Sequence, residues 1–234
     1  MSVNRQTRGK VSIVIPALNE KEGIGKTIKT IPRFELESMG YEVQVLVVDN
    51  ASTDGTGEIA RQAGADVVYE PKRGYGNAYK AGFAGAVGDI IATSDADATY
   101  PVEDIPRLVK IIDEEKVDFI TTNRFAMMKN GAMSLRNKIG NAVLSTTMML
   151  LFGLNIKDSQ SGMWVFKREL LNNIKLTSNT PLSQELKIEA CHFAGCSWKE
   201  VPIEYRQRVG RVKLGGWKVG FENLCHMFQK RFVR

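Results

Sequence analysis

Two short, nearly unbroken β-branched runs, VSIVIP at 11–16 and VQVLVVD at 43–49, each end in turn-forming or acidic residues. Runs of that length and composition suit strands buried on both faces of a parallel sheet. A helix is expected between them over 20–34. The alternation continues with a helix near 54–63, a strand at 66–69, a helix from about 76 to 87, and the strand segment GDIIATSD. Strands alternating with helices predict an α/β protein with a mostly parallel, doubly wound, Rossmann-like sheet flanked by helices. A chain of 234 residues, 43% hydrophobic, is enough for one such domain.

In sheets of this kind ligands gather beyond the carboxyl ends of the strands. Here those ends are residues 16–20, 49–54 and 95–99, all polar and acidic. Three acidic ends converging on one edge repel one another unless a cation lies between them. Asp95-Ala96-Asp97 sits at such an end. Two carboxylates one residue apart can share a hard divalent cation, Mg2+ or Mn2+, and leave coordination places for a diphosphate. Asp97 is expected to face solvent there. Asp49 and Asp54 also suit turn and helix caps. Gly74, Gly76 and Gly82 with Asn77 form a glycine-rich helix start, whose amides either approach a nucleotide or merely accompany a turn.

The net charge of +6 is concentrated at the C-terminal end, where residues 205–234 hold eight Lys or Arg against Glu222 alone. That balance suits phosphate groups or a membrane surface. It does not point to nucleic acid, because no recognised binding module accompanies it. Residues 135–154 are strongly apolar but interrupted by Asn141, Ser145, Thr146 and Thr147, which favours a helix on a membrane or on the domain over a spanning one. Trp217, Phe221, Leu224, Phe228 and Phe232 recur at helical spacing, with Lys218, Lys230, Arg231 and Arg234 placed beside or opposite them. The three cysteines, odd in number and without zinc spacing, read as reduced thiols. The polar opening MSVNRQTRGK is unlike a secretion signal, so a cytoplasmic location is expected, peripheral on the cytoplasmic face of a membrane.

The motifs IPALNE, VVDNASTDGT, RGYGNAYKAGF, DADATYP and SGMWVFKRELL resemble, in order and spacing, the family 2 glycosyltransferases. The later segments TTNRF, SLRNKIGN, DSQSGMWVF and EVPIEYRQRVGRVKLGG resemble the dolichyl-phosphate mannose synthase and polyprenyl-phosphate hexose synthase branch. The resemblance implies a single GT-A domain over 1–234. Within it lie a polar tail (1–10), a nucleotide-sugar-binding half (11–123), an acceptor half (124–216) and an amphipathic C-terminal segment (217–234). It implies that Pro16, Ala17, Asn19, Glu20, Asp49, Asp95 and Ala96 bind the donor nucleotide, with Asp95 and Asp97 as metal ligands. Asp97, Arg124 and Arg136 are then catalytic, and Arg136, Arg208 and Lys213 hold the acceptor phosphate. Where relatives often place Gln-His, this chain has Thr99-Tyr100.

The implied reaction is inverting transfer of a hexose from GDP-mannose, UDP-glucose or UDP-N-acetylglucosamine to dolichyl or polyprenyl phosphate. A phosphate monoester, with a second pKa of about 6, needs no general base. A sugar hydroxyl acceptor on a lipid-linked glycan or polysaccharide would need one, and Glu185 is the candidate. A third reading is a nucleotide-binding or nucleotidyltransferase protein that transfers no sugar.

Overall fold

The computed structural model describes residues 7–128, 132–207 and 216–233. Its strands are β1 (Gly9–Ala17), β2 (Tyr41–Asp49), β3 (Asp66–Tyr69), β4 (Ile90–Thr93), β5 (Phe119–Met128), β6 (Trp164–Lys167) and β7 (Trp198–Tyr205). They form one sheet in the order β3-β2-β1-β4-β6-β5-β7. β1 runs parallel to β2 and β4, and β2 to β3, so the first half is the parallel sheet that the β-branched runs predict. β6 is antiparallel to both neighbours, and β5 and β7 are parallel. β6 thus slots between β4 and β5 and joins the two halves through one continuous sheet.

Alternation along the strands feeds two helical layers. Val11, Ile13 and Ile15 of β1 face a core closed by α1 (Ile24–Lys29), α2 (Arg33–Ser38), α3 (Thr56–Gln62) and α5 (Ile105–Glu115). Val14, Leu46, Val48 and Ile91 face the opposite core, covered by α4 (Tyr75–Gly85), α6 (Leu135–Phe152), α7 (Leu182–Lys187), a π-helical turn at Ile188–Phe193 and α8 (Gly216–Phe232). The single helix expected over 20–34 is two short ones. Pro32 has no amide to continue the first helix and instead stands at the N-terminus of the second. Gly82 lets α4 lie directly on β1, since a Cβ there would come within 2.4 Å of a Val14 methyl.

The apolar segment after β5 becomes an 18-residue helix, α6, capped by the Ser134 hydroxyl and closed by Gly153 in the left-handed region (φ 70°). Among the described residues no helix is long and apolar enough to cross a membrane. The polar residues that interrupt the run have a structural use: Asn141 Nδ2 and Ser145 Oγ both donate to the Lys157 carbonyl. They also receive the amides of Gln160 and Ser159 respectively. The opposite face of α6 leaves Leu135, Ile139, Val143 and Leu150 exposed.

α8 packs against α6 and α7 through Leu224 and the fully buried Met227, and its Phe221, Phe228 and Phe232 remain exposed. Lys230, expected beside the apolar stripe as a surface cation, is buried instead. Its Nζ lies 2.8 Å from Glu185 and 2.6 Å from Glu189. The three cysteines are free thiols.

Candidate active site

The carboxyl ends of β1, β2 and β4 come together on one edge of the sheet and are tied to one another. Asn19, in the left-handed region at φ 52°, donates its amide to Ser52 Oγ and accepts the Thr53 amide. The Glu20 amide donates to Thr56 Oγ1 and the Asn50 amide to the Ala17 carbonyl. Thr27 Oγ1 donates to the Ala96 carbonyl, and a Cβ at Gly23 would collide with that same carbonyl at 2.6 Å. Pro16, Ala17, Asn19, Glu20, Asp49, Asp95 and Ala96 therefore do border one edge, as the strand pattern predicts.

They do not form the three-way acidic cluster. Asp49 Oδ1 accepts the Ser52 amide, and Gly57 makes room for its other oxygen. Asp54 accepts the Thr56 amide and hydroxyl and the Lys21 amide. Burial opposes charge on Asp54, yet these bonds hold its carboxyl below the usual range. Among the described residues no group of three or more His, Cys, Asp or Glu gathers to hold a metal.

What stands out is the pair Asp95 and Asp97. Asp97 is buried at 3% exposure, not solvent-facing as expected, and its Oδ1 accepts both the amide and the hydroxyl of Thr99. Ala98 takes the left-handed conformation (φ 60°) that closes this turn. Asp95 is half-buried and faces Gly162, where a Cβ would sit 3.7 Å from Asp95 Oδ1 and 2.8 Å from the Tyr75 hydroxyl. Two hard oxygen donors, beside a glycine where a side chain would crowd the Tyr75 hydroxyl, suit a divalent cation whose remaining places are filled by a ligand. Thr99 is occupied with Asp97, and Tyr100 accepts the Gly162 amide at 2.7 Å.

Gly162 belongs to a loop, 158–163, that is held on every side. Its carbonyl accepts from Thr93 Oγ1 and Tyr79, and the Ser161 carbonyl accepts from the Trp164 indole, Ser183 and Lys187. Burial, together with the negative charge of Asp95, pushes the Tyr75, Tyr79 and Tyr100 phenols well above their ordinary pKa, so they stay neutral. Tyr75 and Tyr79 stack edge to face at 4.8 Å, and Tyr79 leans on Trp164.

Several expected roles change. Arg124, expected to handle phosphate, is buried and engaged with Asp158: Nε to Oδ2 at 2.7 Å, Nη2 to Oδ1 at 2.8 Å, backbone amide to Oδ2 at 3.0 Å. Its guanidinium also lies 5.2 Å from the centre of the Tyr205 ring. Burial works against the Asp158 charge, but Arg124 outweighs it and keeps the carboxyl below its usual range. Asp158 thus fixes the Arg124 side chain in the site wall.

Glu185 is likewise not placed as a base. Fully buried, it accepts the amides and hydroxyls of Thr177 and Ser178 and faces Lys230. Burial raises its pKa, but those donors prevail and bring it down to about 2. A carboxylate held that far below neutrality is a poor proton acceptor.

The glycine-rich start of α4 does not offer its amides outward either, because Asn179 Oδ1 receives those of Gly76 and Asn77. Arg136 lies exposed on the first turn of α6, while Arg208 and Lys213 fall outside the described residues. Asp158, Gly162, Asn179 and Lys187 escaped the sequence reading. DSQSGMWVF marked the segment without saying which side chains pair.

Comparison with known proteins agrees with this architecture. The family model Glycosyl transferase family 2 matches residues 12–175. A dolichyl-phosphate hexose transferase of Haloferax volcanii is 34% identical over 216 residues, covering 90% of each chain. The low-salt glycan biosynthesis hexosyltransferase Agl6 of the same organism is 32% identical over 97% of this chain and 55% of its own length. Among solved structures, glucosyl-3-phosphoglycerate synthase from Mycobacterium tuberculosis in complex with Mn2+, UDP-glucose and phosphoglyceric acid superposes with a TM-score of 0.77 at 22% identity, covering 96% of this chain and 80% of that one. The chain belongs to glycosyl transferase family 2 and has its GT-A fold.

Proposed function

We propose that this glycosyltransferase moves a hexose from a nucleotide-diphosphate donor to dolichyl or polyprenyl phosphate, with inversion at the anomeric carbon. The observation that carries the reading is the Asp95 and Asp97 pair just past the end of β4, with Asp95 beside Gly162. In this reading residues 11–123 hold the donor and residues 124–216 the acceptor. Mg2+ or Mn2+ held by Asp95 and Asp97 would neutralise charge developing on the departing diphosphate. The residues 16–20 and 49–54 bound the nucleoside pocket. Mn2+ and UDP-glucose in the neighbouring synthase structure support a metal and a nucleotide sugar of this kind.

A lipid-phosphate acceptor is favoured over a sugar hydroxyl by the surroundings of Glu185. With that carboxylate committed to Thr177, Ser178 and Lys230, an acceptor that is already anionic at neutral pH suits the site better. The name of the Haloferax relative supports the same acceptor.

The exposed residues of α6 (Leu135, Ile139, Val143, Leu150) and α8 (Phe221, Phe228, Phe232) lie on helices that pack on each other. They favour peripheral seating on the cytoplasmic face of a membrane, where the isoprenoid acceptor resides. Thermal melts with UDP-glucose, GDP-mannose and UDP-N-acetylglucosamine, each with and without Mn2+ or Mg2+, test the donor half. A donor at 100 times its Kd adds about 2.7 kcal/mol, and stabilisation by none of them would remove the reading.

A further inference from the structure

α7 carries a buried ammonium that the transfer chemistry above does not use. Lys187 is fully buried, and its Nζ donates to the Ser159 carbonyl at 2.8 Å, the Ser161 carbonyl at 2.8 Å and Ser183 Oγ at 2.9 Å. Its three N–H donors thus meet three neutral acceptors. Among the described residues no carboxylate lies within ion-pair distance of it; the nearby Asp158 is spent on Arg124. The Trp164 ring supplies the remaining contact, 5.6 Å from Nζ. Burial is the main reason its pKa falls to about 7.

A charge buried without a counter-ion is costly, and a methionine would fill the same space without that cost. Ser183, one helical turn before Lys187, donates to the Ser161 carbonyl at 3.0 Å. A serine beside a lysine of lowered pKa has the parts of a nucleophile and its base. This pair does not have the access: both residues are buried and the hydroxyl points its proton at a carbonyl. What the two groups do share is a target, the 158–163 loop.

We propose that Lys187 is a positioning residue: with Ser183 it grips the Ser159 and Ser161 carbonyls and so sets Gly162 beside the Asp95 carboxylate, where the donor diphosphate and its cation bind. The role in transfer rests on the glycosyltransferase site described above; the grip on the loop does not. The other ties of the loop come from Thr93, Thr122, Arg124, Trp164 and Glu200 of the sheet, from Tyr79 of α4, from Asn141 and Ser145 of α6, and from Tyr100. Lys187 and Ser183 supply the anchor from α7, and they alone among these ties hold the Ser159 carbonyl.

The test uses the full chain with Lys187→Met, which keeps length and loses all three donors, and Ser183→Ala, a smaller change that serves also if the first variant does not fold. Amide hydrogen exchange is followed over 159–163 and, as an internal reference, over β1 and β2. UDP binding is measured with Mn2+ present, as is transfer from UDP-glucose and GDP-mannose.

Lys187→Met is expected to melt no lower than the wild type and to exchange the 159–163 amides at least tenfold faster with β1 and β2 unchanged. It should weaken UDP binding or lower kcat by a similar factor, while the KM for the lipid phosphate stays the same. Ser183→Ala should shift the same amides by less. Unchanged exchange at 159–163 in both variants, or a rise equal to that in β1 and β2, overturns the proposal. If the wild type neither binds UDP nor transfers sugar, the transferase reading of the site fails, and the exchange data still decide whether Lys187 holds the loop.

Discussion

Replacing Glu185 with glutamine separates a structural carboxylate from a catalytic base. In the fold this carboxylate is held at a pKa of about 2 against an ordinary 4.5, because Lys230 and the Ser178 and Thr177 donors outweigh the burial that would raise it. A folded-state pKa below the unfolded one means that the stabilisation is complete above about pH 4.5 and is lost as pH falls through about 2. At about 1.36 kcal/mol per unit, the shift is worth about 3 kcal/mol at neutral pH. For a chain of this size that corresponds to a melting temperature lower by about 6–12 °C. Circular-dichroism melts of wild type and Glu185→Gln at pH 7 should show that gap, and it should narrow as the pH approaches 2. Transfer assayed well below both melting points should remain near wild type. A variant that melts like the wild type at pH 7 but has lost turnover would return Glu185 to the role of base.

Breaking the Arg124 and Asp158 pair from one side, by Arg124→Met or Asp158→Asn, should cost about 3–5 kcal/mol in denaturant unfolding, because the remaining partner is left buried and unpaired. A loss below about 1 kcal/mol would place the pair outside the packed interior. Asp97→Asn keeps an oxygen for the Thr99 amide and hydroxyl, so it should fold normally yet lose Mn2+-dependent nucleotide binding. Unchanged binding in titration calorimetry would move the metal elsewhere. Replacing Phe221, Phe228 and Phe232 together by serine should lower partition onto anionic liposomes at least about tenfold, equivalent to about 1.4 kcal/mol, with donor binding untouched. Equal sedimentation of variant and wild type would make the exposed stripe irrelevant to lipid.

The strand alternation was legible in the sequence because a parallel strand buried on both faces needs a continuous β-branched run, and VSIVIP and VQVLVVD supply it. The position of Asp95 and Asp97 followed from the same logic, since both stand just past β4. The antiparallel β6 was not legible: WVFK looks the same in either direction, and only its neighbours fix its sense. Roles that depend on a distant partner were also hidden. Arg124 reads as a phosphate-binding cation until Asp158, 34 residues later, is folded against it. Lys230 likewise reads as a headgroup contact until Glu185 and Glu189 enclose it. Both are cations whose meaning is set by burial, and burial of a long charged side chain leaves little mark on local periodicity.

Transfer of sugar to a lipid phosphate is read from how the product partitions. The full chain is incubated with radiolabelled UDP-glucose, GDP-mannose or UDP-N-acetylglucosamine, a polyprenyl phosphate in mixed liposomes, and Mn2+ or Mg2+, and the label is followed into organic and aqueous phases. Label from one of these donors is expected in the organic-soluble lipid phase, abolished by chelation with EDTA and by Asp97→Asn. Label that enters an aqueous glycan instead, or sugar nucleotide formed from sugar phosphate with no lipid product, would contradict transfer to a lipid phosphate.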